Sequence, residues 1–228
     1  MDTEDKVLTE GELEILGRLV DASNASLLCQ LTDGTQAIYK PISGERPLWD
    51  FPDGNLATRE VAAYYVSEIG NFNLVPRTVL RDGPFGMGAV QRWIEIDESE
   101  DVVAFAQAET SNLRNMALFD VIINNADRKF GHILITSDER VYGCDHGVCF
   151  HEENKLRTVI WQFADSPLSQ PEIEKLNQLL AALDIEFLNS LLTEVEVDAL
   201  LARIRILLTE AKFPLPSGEW PAIPWPPY

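Results

Sequence analysis

The sequence predicts an α+β protein folded in two lobes, a strand-rich N-lobe and a mainly helical C-lobe. Three observations predict it. Short apolar runs separated by turn residues fill the N-terminal part, and helical apolar stripes fill the last third. Hydrophobic residues make up 46% of the 228 positions, enough for a sizeable core. The whole of 1–228 reads as a single domain, with the N-lobe over about 15–97, the C-lobe over about 98–212 and a proline-rich arm over 213–228.

From Ile15 to Lys40, two apolar runs, an Asp33-Gly34 turn and a third run ending at Lys40 predict an antiparallel meander. Pro41 to Ala57 has no period and carries prolines and glycines, so it is expected to be a loop. Thr58 to Ile69 is a helix by pattern, since Val61, Ala62, Tyr65, Val66 and Ile69 share one face and Gly70 supplies a stop. Strands follow around Arg77–Arg81 and Met87–Ile96, joined at Asp82-Gly83-Pro84.

Leu113 to Ile123 is apolar around most of its circumference, as in a helix buried within a core. A loop from Asn124 to Gly131 leads to two short strands, HILIT and RVYGC. Ile173, Leu176, Leu179, Leu180 and Leu183 form a stripe, and Thr193 with Glu196 forms a capping box before Leu200, Leu201, Ile204 and Leu208. The ending PSGEWPAIPWPPY has five prolines and cannot continue a helix; Trp220 and Trp225 favour an arm packed on the body.

Charge narrows the function. A net charge of -19 repels phosphate backbones and acidic lipid surfaces, so neither nucleic acid nor stable membrane association is expected. The acidic N-terminus is unlike a signal peptide and no run is long enough to span a membrane, which predicts a cytoplasmic protein. Cys29, Cys144 and Cys149 form no disulfide framework.

The most informative stretch is Asn125-Ala126-Asp127-Arg128-Lys129-Phe130-Gly131-His132, followed by Cys144-Asp145-His146-Gly147. Asp127 and Asp145 stand on consecutive loops of a hairpin, where one can handle a proton and the other hold a divalent cation. Lys40 ends a strand and Glu60 opens the next helix, so a pair between them would fix an ammonium for phosphate oxygens. Ser23, Asn24 and Ser26 form a polar tip between two strands, suited to phosphate oxygens.

Over roughly Ile15 to His151 this order of parts resembles the atypical branch of the protein-kinase-like superfamily, which contains phosphoinositide 3/4-kinases and the HipA-type and FAM20-type kinases. Asn125 to Leu134 also resembles small actinobacterial kinase-like proteins with an N-A-D-R-K-x-G-H motif. The resemblance implies a kinase-like fold and an ATP-dependent phosphotransferase. Lys40 matches the strand lysine, Glu60 the helix glutamate, Asp127 the catalytic-loop aspartate and Asp145 the metal-binding aspartate. Gln91, Trp93 and Ile94 match the segment joining the lobes, where an adenine ring would sit. His132 stands where the family has a metal-binding Asn, and an imidazole there favours Mn(II) over Mg(II). The phosphate tip departs from the family in having no glycine between Ser23 and Ser26.

The expected acceptor is a protein Ser/Thr hydroxyl, including the chain's own in autophosphorylation, with a lipid or small-molecule alcohol as a weaker alternative. A nucleotide-binding pseudokinase that binds a partner without turnover is the second reading. The three histidines share one window with Cys144 and Cys149, which invites zinc, although the spacing is not that of a closed structural site. The loop from Glu45 to Pro52 is expected to cover the nucleotide, to contact a partner, or simply to pack.

Overall fold

The computed structural model describes residues 3–19 and 24–228. Five antiparallel strands form the N-lobe sheet: β1 (Glu14–Arg18), β2 (Leu27–Gln30), β3 (Gln36–Pro41), β4 (Thr78–Gly83) and β5 (Gly86–Arg92), in the order β1-β2-β3-β5-β4. Because side chains alternate across a strand, the sheet has two distinct faces. Cys29, Ala37, Tyr39 and Val90 pack on one face with Leu8 of helix α1 (Thr3–Glu10). The opposite face carries Lys40 beside Ala89, its partner in β5, and packs against helix α2 (Leu56–Ile69).

Helix α2 starts where its free N–H groups find acceptors. Asn55 accepts from Thr58 N, and the Glu45 carboxylate accepts from Leu56 N and Ala57 N, a charge placed at the positive end of the helix. The next residue pair sets its position: Arg59 Nε donates to Glu196 Oε1 at 2.7 Å, both buried, tying α2 to the C-lobe.

The C-lobe comprises α3 (Val102–Ala106), α4 (Ser111–Ile123), a hairpin of β6 (Ile133–Ile135) and β7 (Val141–Gly143), then α5 (Gln170–Ala182), α6 (Ile185–Asn189) and α7 (Glu194–Glu210). Leu113, Met116, Phe119, Ile122 and Ile123 of α4 are fully enclosed, at the centre of a core that also takes Leu176, Leu188, Leu200 and Ile204. The capping box of Thr193 and Glu196 starts α7, as expected. Helices α1, α3 and α6 were not evident in the apolar pattern.

The C-terminal arm packs along the body. Ala222 O accepts from Thr158 N at 3.0 Å and from Trp161 Nε1 at 2.7 Å, and Pro227 O accepts from Phe130 N at 2.9 Å. Among the described residues no helix is long and apolar enough to cross a membrane.

Candidate active site

Lys40 projects from β3 to where the lobes meet. Its Nζ donates to Glu60 Oε1 and, at 3.0 Å, to Asp145 Oδ1. Burial alone would lower the Lys40 ammonium, but the Asp145 and Glu60 carboxylates outweigh it and raise its pKa. Lys40 in turn holds the Asp145 carboxyl well below the usual carboxylate range, against the effect of burial. Asp145 follows the hairpin in a left-handed conformation, φ 60°, which Asp tolerates better than most residues and which aims its carboxylate back at Lys40.

His132 Nε2 lies 3.5 Å from Asp145 Oδ2. Burial lowers its pKa and outweighs the opposing pull of Asp145, so the imidazole stays neutral, as a metal ligand must be. Asp145 still exposes 54% of its side chain. A half-open carboxylate beside a neutral imidazole fits a divalent cation whose other ligands come from phosphate and water, and the mixed donor pair suits Mn(II) as well as Mg(II). Among the described residues no three of His, Cys, Asp and Glu are close enough to hold one metal ion together, so the zinc reading gains no support. His146 and His151 are engaged elsewhere, and burial pushes the Cys144 thiol up to about 12, away from reactivity.

Asp127 stands on the loop after α4. Lys129 Nζ lies 3.3 Å from its Oδ2, and burial raises its pKa against that ammonium. Lys40, Glu60, Asp127 and Asp145 line one cavity of about 390 Å³, together with Asn24 and Ser26 of the β1–β2 connection. Ser23 lies outside the described residues. Asn24 Oδ1 accepts from Arg46 N at 2.8 Å, so its amide orders the β3–α2 loop.

The expected adenine-side residues are not among that lining. Gln91 shares a sheet face with Lys40, but it is buried and donates to Thr78 Oγ1 at 2.8 Å. Trp93 and Ile94 follow β5 half-buried, with Trp93 N donating to Gln36 O.

Behind the cavity lies a polar relay that the sequence did not reveal. Arg128, fully buried, donates to both oxygens of Asp120 on α4, to the carbonyls of His132 and Cys144, and through Nη2 to His146 Nε2 at 2.8 Å. Gly143 leaves room for this guanidinium, since a Cβ there would meet its nitrogens at 2.9 Å. Because Arg128 can only donate, His146 Nε2 accepts and the ring proton sits on Nδ1. Burial, then Arg128, keeps that imidazole neutral. His146 Nδ1 and Glu60 Oε2, both buried and without a hydrogen-bond partner, face each other at 4.0 Å, too far for a hydrogen bond. One chain of buried groups thus links α4 to the loops carrying Asp127 and Asp145, and reaches Glu60. The sequence signal was Asp120 inside the apolar run from Met116 to Ile123 of α4.

No family model matches the chain. Over 99% of its length it aligns at 42% identity with 95% of Protein Rv2133c of Mycobacterium tuberculosis. The chain belongs to the Rv2133c family. A second relative, phosphatidylinositol 4-kinase gamma 4 of Arabidopsis thaliana, is 28% identical over 162 residues, 58% of this chain and 29% of that protein. Among solved structures the Golgi casein kinase superposes with a TM-score of 0.61 at 13% identity, over 90% of this chain and 74% of that one. Its Mn/ADP-bound form gives 0.59 at 13% identity, over 94% and 80%. The Helicobacter pylori proinflammatory kinase CtkA gives 0.55 at 11%, over 90% and 97%. The fold of this Rv2133c-family chain is therefore a kinase-like α+β fold.

Proposed function

We propose that the chain is an ATP-dependent phosphotransferase, acting as one kinase-like domain over 1–228. The observation that carries this reading is the Lys40 ammonium held between Glu60 and Asp145 in a cavity that Asp127 also lines. Lys40 would grip phosphate oxygens, with Glu60 fixing its direction. Asn24 and Ser26, with Ser23, would contact the phosphates from above. Asp145 and His132 would hold Mg(II) or Mn(II), whose charge neutralises the phosphoryl oxygens when it is bound. Asp127 takes the acceptor's proton as its oxygen bonds to the γ-phosphorus and the bond to the β–γ bridging oxygen breaks, with ADP leaving.

The Mn/ADP-bound form of the Golgi casein kinase, which shares this fold, supports the cofactor choice. The acidic charge supports a protein that acts away from nucleic acid and acidic lipid surfaces. A protein Ser/Thr hydroxyl, the acceptor favoured by the sequence, would have to reach Asp127 past the β3–α2 loop, whose Asp50 O bonds His151 Nε2 at 2.7 Å. A small alcohol would place no such demand on the loop.

The test is metal-dependent binding and turnover of γ-labelled ATP by the purified protein, beside Asp127→Ala and Asp145→Asn. Turnover that needs Mg(II) or Mn(II) and is lost in both variants is the expected result. Metal-dependent binding without any turnover would support the pseudokinase reading, and absence of binding would overturn both.

A further inference from the structure

Three segments lining the cavity have no part in the chemistry above: Arg46 to Asp50 of the β3–α2 loop, Lys155 with Arg157 after β7, and Trp220 of the arm. In a chain of net charge -19 two of the four cations lining this cavity are paired, Lys40 with Glu60 and Asp145 and Lys155 with Asp50 and Glu153. Arg157 is different. Among the described residues no carboxylate pairs with it.

The Arg157 guanidinium is nevertheless held in place. Its Nε donates to Ala126 O at 2.7 Å and its backbone N donates to Asn125 O at 3.0 Å, which fastens it to the loop carrying Asp127. Its two terminal nitrogens bond no described protein group. Such a fork, half-buried and fixed at one nitrogen, is preorganised for an oxyanion. Arg46, also without a carboxylate partner, stands exposed at the rim and adds to the positive field.

The surroundings limit the size of what binds. Asp50 reaches across from the N-lobe to His151 and, at 3.4 Å, to Lys155 Nζ. Lys155 Nζ lies 5.4 Å from the Trp49 ring and 4.5 Å from the Trp220 ring, so the loop and the arm meet around one ammonium. A polypeptide crossing this mouth would have to displace that cluster.

We infer that Arg157 is the acceptor anchor and that the acceptor is a small alcohol carrying an anionic group, phosphate or carboxylate, which Arg157 binds while the hydroxyl lies at Asp127. This rests on the phosphotransferase reading. It assigns Arg157 to binding and orientation and leaves the bond changes with the groups already named.

Calorimetry tests it. Protein saturated with Mn(II) and ADP is titrated with glycerol 3-phosphate, glycerate and glycerol, and the same titrations are run without nucleotide. Binding of one or both anions but not of glycerol is expected, weakened at least about tenfold in Arg157→Gln and partly restored in Arg157→Lys. A preference between the two anions identifies which group the site takes. Equal behaviour of anionic and neutral probes, no binding of any, or an unaffected Arg157→Gln protein would overturn the inference. Stronger competition by an acidic Ser-containing peptide would overturn the size restriction. If Mn(II)-ADP itself fails to bind, the phosphotransferase reading falls separately, while the nucleotide-free titrations still report on Arg157.

Discussion

Asp127 and Lys129 are two residues apart, and their contact governs how the site responds to pH. Burial raises the Asp127 carboxyl, and the Lys129 ammonium at 3.3 Å pulls it back down. A base works only when deprotonated, so kcat/KM should rise with pH through a pKa above the ordinary aspartate value of about 3.9. Removing a positive neighbour raises a carboxylate pKa further. Lys129→Gln should therefore move the acid limb of the profile to higher pH, and an unmoved limb would show that Asp127 is not the titrating base. Lys40, Glu60, Asp127 and Asp145 were legible because each is a charged residue at a strand end, a helix start or a loop beside an apolar run. Asp120, Arg128 and His146 were not, since what makes them a unit is a set of contacts across the fold that spacing does not encode. Gln91 illustrates the same limit: the resemblance places it in the segment joining the lobes, but only the structure reveals that Thr78 takes up its amide.

Helix α2 carries Glu60, and the adjacent Arg59 determines where that helix sits. Its buried bond to Glu196 joins the helix to the first turn of α7. Arg59→Ala leaves Glu196 buried without its cation, at a cost of about 3–5 kcal/mol. Thermal or denaturant unfolding should register that loss, and phosphotransfer should fall with it as Glu60 loses its fixed position. Replacing both residues with Met should restore much of the stability, because no unpaired charge is then left inside. A stable Arg59→Ala protein would mean that Glu196 finds water or another donor. The long helices and the five strands were readable from period and turn residues, and so was the capping box of α7. Helices α1, α3 and α6 were not, because eight residues in the first and five in each of the others are too few to show an apolar stripe.

At the scale of the whole molecule the arm and the two lobes form one site. Trp220 lines the cavity, while Ala222 and Pro227 accept from Thr158, Trp161 and Phe130. Deleting 219–228 strips those three donors of their acceptors, at roughly 1 kcal/mol each. The truncated protein should unfold at lower denaturant and transfer phosphate more slowly; unchanged unfolding would show that the arm adds nothing to the body. Packing of the arm was expected from its tryptophans, yet only Trp220 packs, against Lys155, while Trp225 stands 89% exposed; the arm's place beside the Asp127 loop was not legible, since an irregular proline-rich segment has no period to locate it. The crossings between lobes bear on turnover. Arg59 pins the back edge to Glu196, and Asp50 pins the front edge to His151 and Lys155. A clamshell pinned on both sides cannot gape until one pin lets go, and the front one, closer to solvent, is the weaker. In a phosphotransferase built this way, departure of spent nucleotide would wait on that rupture, and the pace of the cycle would be set at a door made of one aspartate.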